Sequence, residues 1–124
     1  MRRLALALLL ATQATPGLAT DIPTTPGTCV FTRIKTIGHH LRPGPPTLDP
    51  GSTVAYDNGV NQISYETVGT LGQARIGDEI MLCLVRIPQH CPPGDARGRI
   101  YTGTDLRTLG SWTMPDSEHL CGGA

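Results

Sequence analysis

The sequence has few aromatic and few charged residues. Of its 124 residues, 4% are aromatic and 16% are charged, whereas it contains 15 glycines and 11 prolines. Disordered chains combine low hydrophobicity with high net charge, but 39% of this chain is hydrophobic and its apolar residues fall into short runs. The composition therefore predicts a folded, turn-rich domain with little long helix.

The motifs of several enzyme classes are missing. The sequence holds neither a GxGxxG or Walker-type phosphate loop nor an HExxH zinc motif. Its four cysteines form no CxxC pair, and the 53, 7 and 29 residues between them match no zinc module. We therefore expect no cofactor and no metal site.

Residues 1–19 have the pattern of a cleavable secretory signal peptide. A basic pair precedes the apolar run Leu4–Ala11, and Gly17 and Ala19 place small residues at positions −3 and −1. This run is too short for a bilayer core, which requires about 20 apolar residues. The pattern predicts cleavage before Thr20 and a secreted or periplasmic protein, and no other segment is long enough to predict a membrane span.

The charge balance argues against some partners. Cleavage would remove two of the ten basic residues, which leaves 8 basic against 10 acidic residues and a formal charge of −2. Proteins that bind nucleic acids or anionic membranes carry a basic excess instead. We therefore expect no nucleic-acid partner. The sequence does not identify the partner, and the candidates are an envelope protein and a small anionic ligand.

All four cysteines follow the predicted leader, at Cys29, Cys83, Cys91 and Cys121. An even number in a small exported domain predicts two disulfides. Four cysteines allow three connectivities, and the sequence does not decide among them. We favour Cys29–Cys83, which would join two strand-like segments, and Cys91–Cys121, which would anchor the C-terminal tail to a proline-rich turn.

Short β-like segments recur along the chain between turn signals. They cover residues 28–37, 53–57, 60–65, 79–87, 99–104 and 111–114. No long helical pattern interrupts them, so the predicted fold is all-β: a small, turn-rich antiparallel sheet, barrel or sandwich. This single domain spans 28–124, follows a loose N-terminal tail at 20–27, and contains a Pro/Gly-rich loop at 38–51.

Two of these segments carry more detailed expectations. Asn58-Gly59 predicts a two-residue type I′ turn, in which Val54 faces Ile63. One face of this hairpin then carries Val54, Tyr56, Ile63 and Tyr65, and the opposite face carries Ala55, Asp57, Gln62 and Ser64. The six apolar residues from Ile80 to Val85 predict a central strand that is covered on both faces.

The best candidate binding patch combines three arginines with the only tryptophan. Arg97 and Arg99 share one side of an extended segment, and arginine guanidinium groups suit carboxylate or phosphate recognition. Arg107 and Trp112 lie nearby in the sequence, and Trp112 could face the arginines across a hairpin. The alternative is that Trp112 is a core residue and that the arginines pair with nearby aspartates.

The sequence favours a non-enzymatic exported binding module. One alternative is a small hydrolase-type enzyme that uses His119 or the pair His39 and His40. However, the hydrolase residue types at 116–119 are neighbours on one tail, and a Ser-His-Asp set needs side chains that converge from separate elements. We therefore assign no catalytic residue. Another alternative, by analogy of build, is a periplasmic inhibitor of a cell-wall enzyme.

Mass spectrometry of the exported protein tests the leader and the disulfides together. We expect the chain to begin at Thr20 and to weigh less than its reduced form by the mass of four hydrogen atoms. Reduction should restore those four hydrogen atoms and make the cysteines reactive towards an alkylating reagent. A chain that retains residues 1–19, or that has four free thiols before reduction, would contradict these expectations.

Overall fold

The computed structural model describes residues 21–41, 44–45 and 47–123, so the predicted signal peptide lies outside the described residues. The predicted all-β fold is confirmed. Six strands follow one another along the chain, namely β1 (Cys29–Gly38), β2 (Ser52–Tyr56), β3 (Asn61–Ser64), β4 (Glu79–Arg86), β5 (Ile100–Asp105) and β6 (Ser111–Pro115). The described residues contain one 3-10 turn, at Leu71–Gln73, and no α-helix.

The six strands form one antiparallel sheet that is curled into a half-barrel, in the order β3-β2-β1-β4-β5-β6. Its long strand β1 has two different partners. Cys29 to Arg33 pair with β4, and Ile34 to Gly38 pair with β2. The β1–β2 register shifts between Ile34 and Thr36, and such a bulge bends a strand and increases its twist. The bend directs β2 and β3 over the inner face of the other strands.

The core lies inside this curl. In β4, Ile80, Leu82 and Leu84 are fully buried, whereas the intervening residues are half-buried or, at Val85, 49% exposed. The expectation that this apolar run is covered on both faces is therefore wrong. A half-barrel has only one interior, so a strand at its centre alternates between buried and exposed side chains even where its sequence is uniformly apolar.

The turn between β2 and β3 has three residues, Asp57 to Gly59, and not the two that were predicted. The N–H of Tyr56 donates to the Val60 carbonyl at 3.0 Å, and the N–H of Gly59 donates to the Tyr56 carbonyl at 3.0 Å. Only Gly59 in this turn has a positive φ, at 91°. Three-residue hairpin loops commonly place a glycine at this left-handed position.

The extra turn residue shifts the hairpin register by one position. Val54 faces Gln62, and Thr53 faces Ile63, so the predicted pair Val54–Ile63 is wrong. Because side chains alternate between the two faces of a strand, this shift exchanges the faces of β3. Gln62 lies in the interior at 1% exposure, Ile63 is half-buried, and Tyr65 is 53% exposed.

Gln62 joins the two ends of the curled sheet. Its Nε2 donates to the carbonyl oxygens of Tyr101 at 2.7 Å and Met114 at 3.0 Å, which belong to β5 and β6. Its Oε1 accepts a hydrogen bond from the Tyr56 hydroxyl at 2.5 Å and another from Trp112 Nε1 at 3.1 Å. The carboxamide is therefore fully satisfied, and it connects β3 to strands that are distant in the sheet order.

The Tyr56 hydroxyl also accepts a hydrogen bond from Trp112 Nε1, at 2.9 Å. Burial raises the pKa of Tyr56, so its hydroxyl keeps its proton and remains a donor to Gln62. Gly103 provides the space for this arrangement. A Cβ at Gly103 would lie 2.7 Å from Trp112 Nε1 and 2.9 Å from the Tyr56 hydroxyl. We call the line along which β3 approaches β5 and β6 the seam, and we refer to Tyr56, Gln62 and Trp112 as the seam cluster.

The structure contains the disulfides Cys29–Cys83 and Cys91–Cys121, which is the favoured connectivity. Cys29 and Cys83 are direct cross-strand partners in β1 and β4. The segment at 21–27 is hydrogen-bonded to the hairpin turn and to β4. Asn58 Nδ2 donates to the Asp21 carbonyl at 3.1 Å, and the Gly27 N–H donates to the Leu84 carbonyl at 2.8 Å.

Substitution of Gln62 by leucine tests the seam cluster. We expect the free energy of unfolding to fall by about 2–4 kcal/mol, because the buried Tyr56 hydroxyl loses its acceptor and β3 loses its bonds to β5 and β6. Urea unfolding followed by tryptophan fluorescence measures the change. The neighbouring exposed substitution Asn61→Ala is the control and should change stability by less than about 0.5 kcal/mol. A Gln62→Leu value as small as this control would show that the cluster does not stabilise the seam.

Candidate functional site

The C-terminal tail, residues 116–121, is fixed against the segment that precedes β5. Asp116 Oδ1 accepts hydrogen bonds from the N–H groups of Gly98 at 2.8 Å and Arg99 at 3.1 Å. The N–H of Cys121 donates to the Arg97 carbonyl at 3.1 Å, and Cys121 is bonded to Cys91. This tail is therefore held at both of its ends.

A cleft lies between the tail and β3. It consists of two adjoining hollows of about 290 and 380 Å³, both of which are lined by Ile63, Ser117 and Glu118. The first hollow is completed by Ser64, Tyr65, Glu66 and Pro115, and the second by Thr36, Thr53, Val54, Ala55, Asn61, Gln62 and Asp116. We call this feature the seam cleft, because it follows the line along which β3 approaches the C-terminal side of the sheet.

One wall of the seam cleft is the free edge of the sheet. Hydrogen-bonded and non-hydrogen-bonded pairs alternate along an antiparallel ladder. The bond from Tyr56 to Val60 closes the hairpin, so Val54 and Gln62 form the next hydrogen-bonded pair. Asn61 and Ile63 consequently turn their backbone N–H and C=O groups away from β2. Because β3 is the last strand of the sheet, these groups face the free edge.

The seam cleft has an acidic lining. Glu66, Asp116 and Glu118 line it, and no lysine or arginine is among its described lining residues. Glu118 Oε1 lies 3.6 Å from His40 Nε2, and the His40 side chain is only 7% exposed. The ring of His40 meets the ring of Tyr65 edge-on, with 4.6 Å between the centroids. His40 thus contacts both Glu118 in the tail and Tyr65, which follows β3.

The described histidines and serines do not form a nucleophile and base pair. Ser117 Oγ donates to the carbonyl oxygen of His119 at 2.8 Å and not to its imidazole. The imidazole of His119 is 53% exposed, and its Nε2 lies 3.9 Å from a Glu118 oxygen. His39 Nδ1 lies 3.2 Å from the Gly51 carbonyl oxygen. A working triad needs the hydroxyl to contact the base directly, and this geometry does not provide that contact.

The structure separates the predicted arginine and tryptophan patch into three places. Trp112 is 3% exposed and belongs to the core, so it contributes nothing to a surface patch. Arg107 follows the C-terminal end of β5 and makes two hydrogen bonds of 2.9 Å to Asp78. Arg97 and Arg99 precede the other end of β5. The expected grouping of all four residues is therefore wrong, and only Arg97 and Arg99 remain neighbours.

These two arginines have different surroundings. Arg97 makes a bidentate contact with Asp95, at 2.9 and 2.8 Å. Arg99 is half-buried, and its Nε atom is buried without a hydrogen-bond partner among the described residues. Its backbone N–H is bound by Asp116, which also lines the seam cleft. The arginine pair therefore lies behind the tail that forms one wall of the cleft.

The predicted register concealed the seam cleft. It placed Ile63 and Tyr65 on the same face of the hairpin as Val54 and Tyr56, whereas Ile63 and Tyr65 line the cleft. The Asn-Gly pair is compatible with both turns. A type I′ turn needs a positive φ at Asn58 and Gly59, whereas a three-residue loop needs it only at Gly59. The contribution of Glu118 depends on how the tail folds back, and no local pattern indicates that.

No protein-family model, no curated protein and no solved structure matches this chain. Within the ranges that the structure describes, no helix has the length and apolar character needed to span a membrane. The same described ranges hold no group of three or more His, Cys, Asp or Glu side chains placed to bind a metal ion.

Neighbouring arginines stabilise the ionised form of two aspartates. The Arg97 side chain, with help from the Gly122 N–H, holds the pKa of Asp95 well below its usual range, and the Arg107 side chain does the same for Asp78. A lowered pKa stabilises the fold above the ordinary carboxyl pKa of about 3.9, and that stabilisation is lost as the pH falls.

We therefore expect the thermal unfolding midpoint to fall steeply as the pH drops below about 4, and to fall less steeply in the Asp95→Asn variant. Calorimetry across this pH range measures both profiles. Asp57→Asn, an exposed substitution in the hairpin turn, is the control and should keep the wild-type slope. An Asp95→Asn profile that is parallel to the wild type would contradict the assignment.

Proposed function

We propose that this protein is an exported, non-enzymatic binding module that holds an extended segment of an envelope protein in the seam cleft. The observation that carries this proposal is the cleft itself, which combines a free strand edge, an apolar contact at Ile63 and an acidic rim. The two disulfides and the pattern of residues 1–19 support export.

Both walls of the cleft are fixed before any partner arrives. The seam cluster holds β3 against β5 and β6 through three hydrogen bonds of the Gln62 carboxamide. The opposite wall is held by Asp116 and by the disulfide Cys91–Cys121. A preorganised site loses less conformational entropy on binding than a flexible one, which is the property expected of a binding module.

The chemistry of the cleft favours a polypeptide that carries basic side chains. The backbone groups of Asn61 and Ile63 can pair with an extended chain, and this is how many domains recognise peptides. Glu66 and Glu118 would attract lysine or arginine, and they would repel a small anion from the cleft. Tyr65 is 53% exposed and supplies an aromatic contact of the kind that is enriched at binding hot spots.

Binding is favoured over hydrolysis by the position of Ser117. Its hydroxyl donates to a backbone carbonyl and not to an imidazole. Of the two described imidazoles near Glu118, that of His40 is mostly buried and that of His119 is 53% exposed. The alternative function, a periplasmic inhibitor of a cell-wall enzyme, is a special case of the same proposal in which the bound partner is an enzyme. The identity of the partner would distinguish the two.

A photo-crosslinking amino acid at position 65 tests this proposal in the exported protein. We expect irradiation of intact cells to give one discrete adduct from position 65. Placing the same amino acid at position 31 is a matched control, because Phe31 is also aromatic and is 50% exposed, but lies on the outer face of β1.

Reversing the charge at the cleft with Glu118→Lys should weaken capture at least about tenfold, which corresponds to about 1.4 kcal/mol. Val85→Lys, on the outer face of β4, introduces the same side chain elsewhere and should leave the adduct unchanged. Equal adducts from positions 65 and 31, or full capture by Glu118→Lys, would refute the seam cleft as the binding site.

A further inference from the structure

The two hollows of the seam cleft differ in the charges around them. The first hollow, of about 290 Å³, is lined by the carboxylates of Glu66 and Glu118 and by the aromatic ring of Tyr65. The second hollow, of about 380 Å³, shares Glu118 but is otherwise lined mainly by uncharged residues. Its one further carboxylate, that of Asp116, already accepts two backbone N–H groups. The free acceptors of the cleft are therefore concentrated in the first hollow.

The negative charge of the first hollow is not balanced by a described lysine or arginine. Glu66 and Glu118 form no ion pair with any such residue in the part of the chain that the structure describes. Lys35 precedes Thr36, which lines the second hollow, and Arg99 lies behind the tail, where its N–H binds the aspartate of the second hollow. These two cations therefore lie beside residues of the second hollow, and the first is the place for a cation of the ligand.

A buried imidazole stands beside the first hollow without a hydrogen-bond partner. The side chain of His40 is only 7% exposed, and it makes no hydrogen bond with another described residue. Its Nε2 lies 3.6 Å from Glu118 Oε1, which is too long for a hydrogen bond. Polar side chains that are buried to this extent normally have a partner. A ligand with several N–H donors, bound at Glu118, would supply one to Nε2.

We propose that the first hollow binds the guanidinium group of an arginine in the captured segment, an inference that rests on the function proposed above. A guanidinium is planar and donates five N–H groups in a fixed fork, so it can bind several acceptors at once. It also stacks on aromatic rings, and Tyr65, at 53% exposure, presents an accessible one. A lysine ammonium is a compact, strongly hydrated charge with three donors, and it matches this set of groups less well.

The free edge of β3 sets the position of this arginine in the captured segment. Asn61 and Ile63 turn their backbone groups to an added strand, and alternate side chains of a strand lie on one face. Ile63 lines both hollows, whereas Asn61 lines only the second. Side chains two positions apart in the segment therefore enter the two hollows. Arginine enters the first, and a small uncharged side chain enters the second, beside Thr36 and Thr53.

Titration with short peptides, followed by the NMR signals of the backbone amides in the oxidised, leader-free protein, tests this inference. The peptide acetyl-Thr-Val-Arg-Val-Thr-amide carries threonine two positions before and after its arginine, so it suits either strand direction. We expect it to shift the amide signals of Asn61, Ile63, Tyr65 and Glu118, with a Kd below about 10 mM. The same peptide with lysine should bind at least about threefold more weakly. The peptide with citrulline, the uncharged analogue of arginine, should bind at least about tenfold more weakly.

Two variants with matched controls assign the preference for arginine to the first hollow. Tyr65→Leu removes the stacking ring and should bring the Kd values of the arginine and lysine peptides within about a factor of two. Phe31→Leu, which removes an aromatic ring of similar exposure from the outer face, should leave the preference unchanged. Glu118→Gln should weaken the binding of both cationic peptides at least about threefold, whereas Glu79→Gln, an exposed substitution in β4, should not.

Equal Kd values for the arginine and lysine peptides with the wild-type protein would overturn the inference, and so would the absence of shifts along β3 at about 10 mM arginine peptide. Photo-crosslinking in cells is a separate measurement. A discrete adduct from position 65 together with equal Kd values would keep the seam cleft as a binding site and refute the arginine preference. Selective binding of the arginine peptide without an adduct would support the first hollow as an arginine site and refute the capture of an envelope protein.

Discussion

The hydrogen bonds of one buried carboxamide fix how far the half-barrel sheet curls. Gln62 lies on the last strand of the sheet, and its Nε2 binds carbonyl oxygens of the two strands at the opposite end. Backbone hydrogen bonds hold each strand to its neighbours, but they do not fix how far the sheet curls. The curvature of the sheet depends on side chains that meet across the interior. Leucine at the same position could fill the space, but it could not replace these bonds, because carbonyl groups need donors.

The bend in β1 and the seam cluster act together. The bulge between Ile34 and Thr36 directs β2 and β3 over the core, and Gln62 fixes where they stop. The space that remains along this seam is the seam cleft, so the same contacts that complete the fold also set the shape of the candidate site. Gly103 belongs to this arrangement as well, because only a residue without a Cβ leaves room for the tryptophan and tyrosine groups there.

Patterns that are local in the sequence predicted most of the fold. The strands and the all-β class follow from β-branched runs and turn residues, and each strand end lies within one residue of its prediction. The cysteine positions allowed three connectivities, and the structure contains the favoured one. The errors came from the choice between two turns that share one glycine, and from the assumption that an apolar run is covered on both faces. A one-residue difference at Gly59 decides whether Gln62 is inside or outside, and intrinsic preferences alone do not resolve it.

The candidate site was harder to predict than the fold, for a physical reason. Its walls come from β3 and from a tail that lies about fifty positions later in the chain, as the separation of 52 residues between Gln62 and Met114 illustrates. The arginine and tryptophan patch is predicted from proximity in sequence, whereas Trp112 is buried in the core, where its Nε1–H has two acceptors. Residues that are close in sequence can lie on opposite faces of a strand, and residues that flank the two ends of a strand do not share a surface.

The order in which the cysteines are joined has a consequence for how the chain matures. The first cysteine is bonded to the second and the third to the fourth, at sequence separations of 54 and 30. If the chain crosses a membrane with its N-terminus leading, Cys29 emerges before Cys83, and these two cysteines can form their disulfide before Cys121 has emerged. Oxidation in the order of emergence then gives the native connectivity directly. Such a chain needs little of the slow thiol–disulfide exchange on which proteins with interleaved disulfides depend.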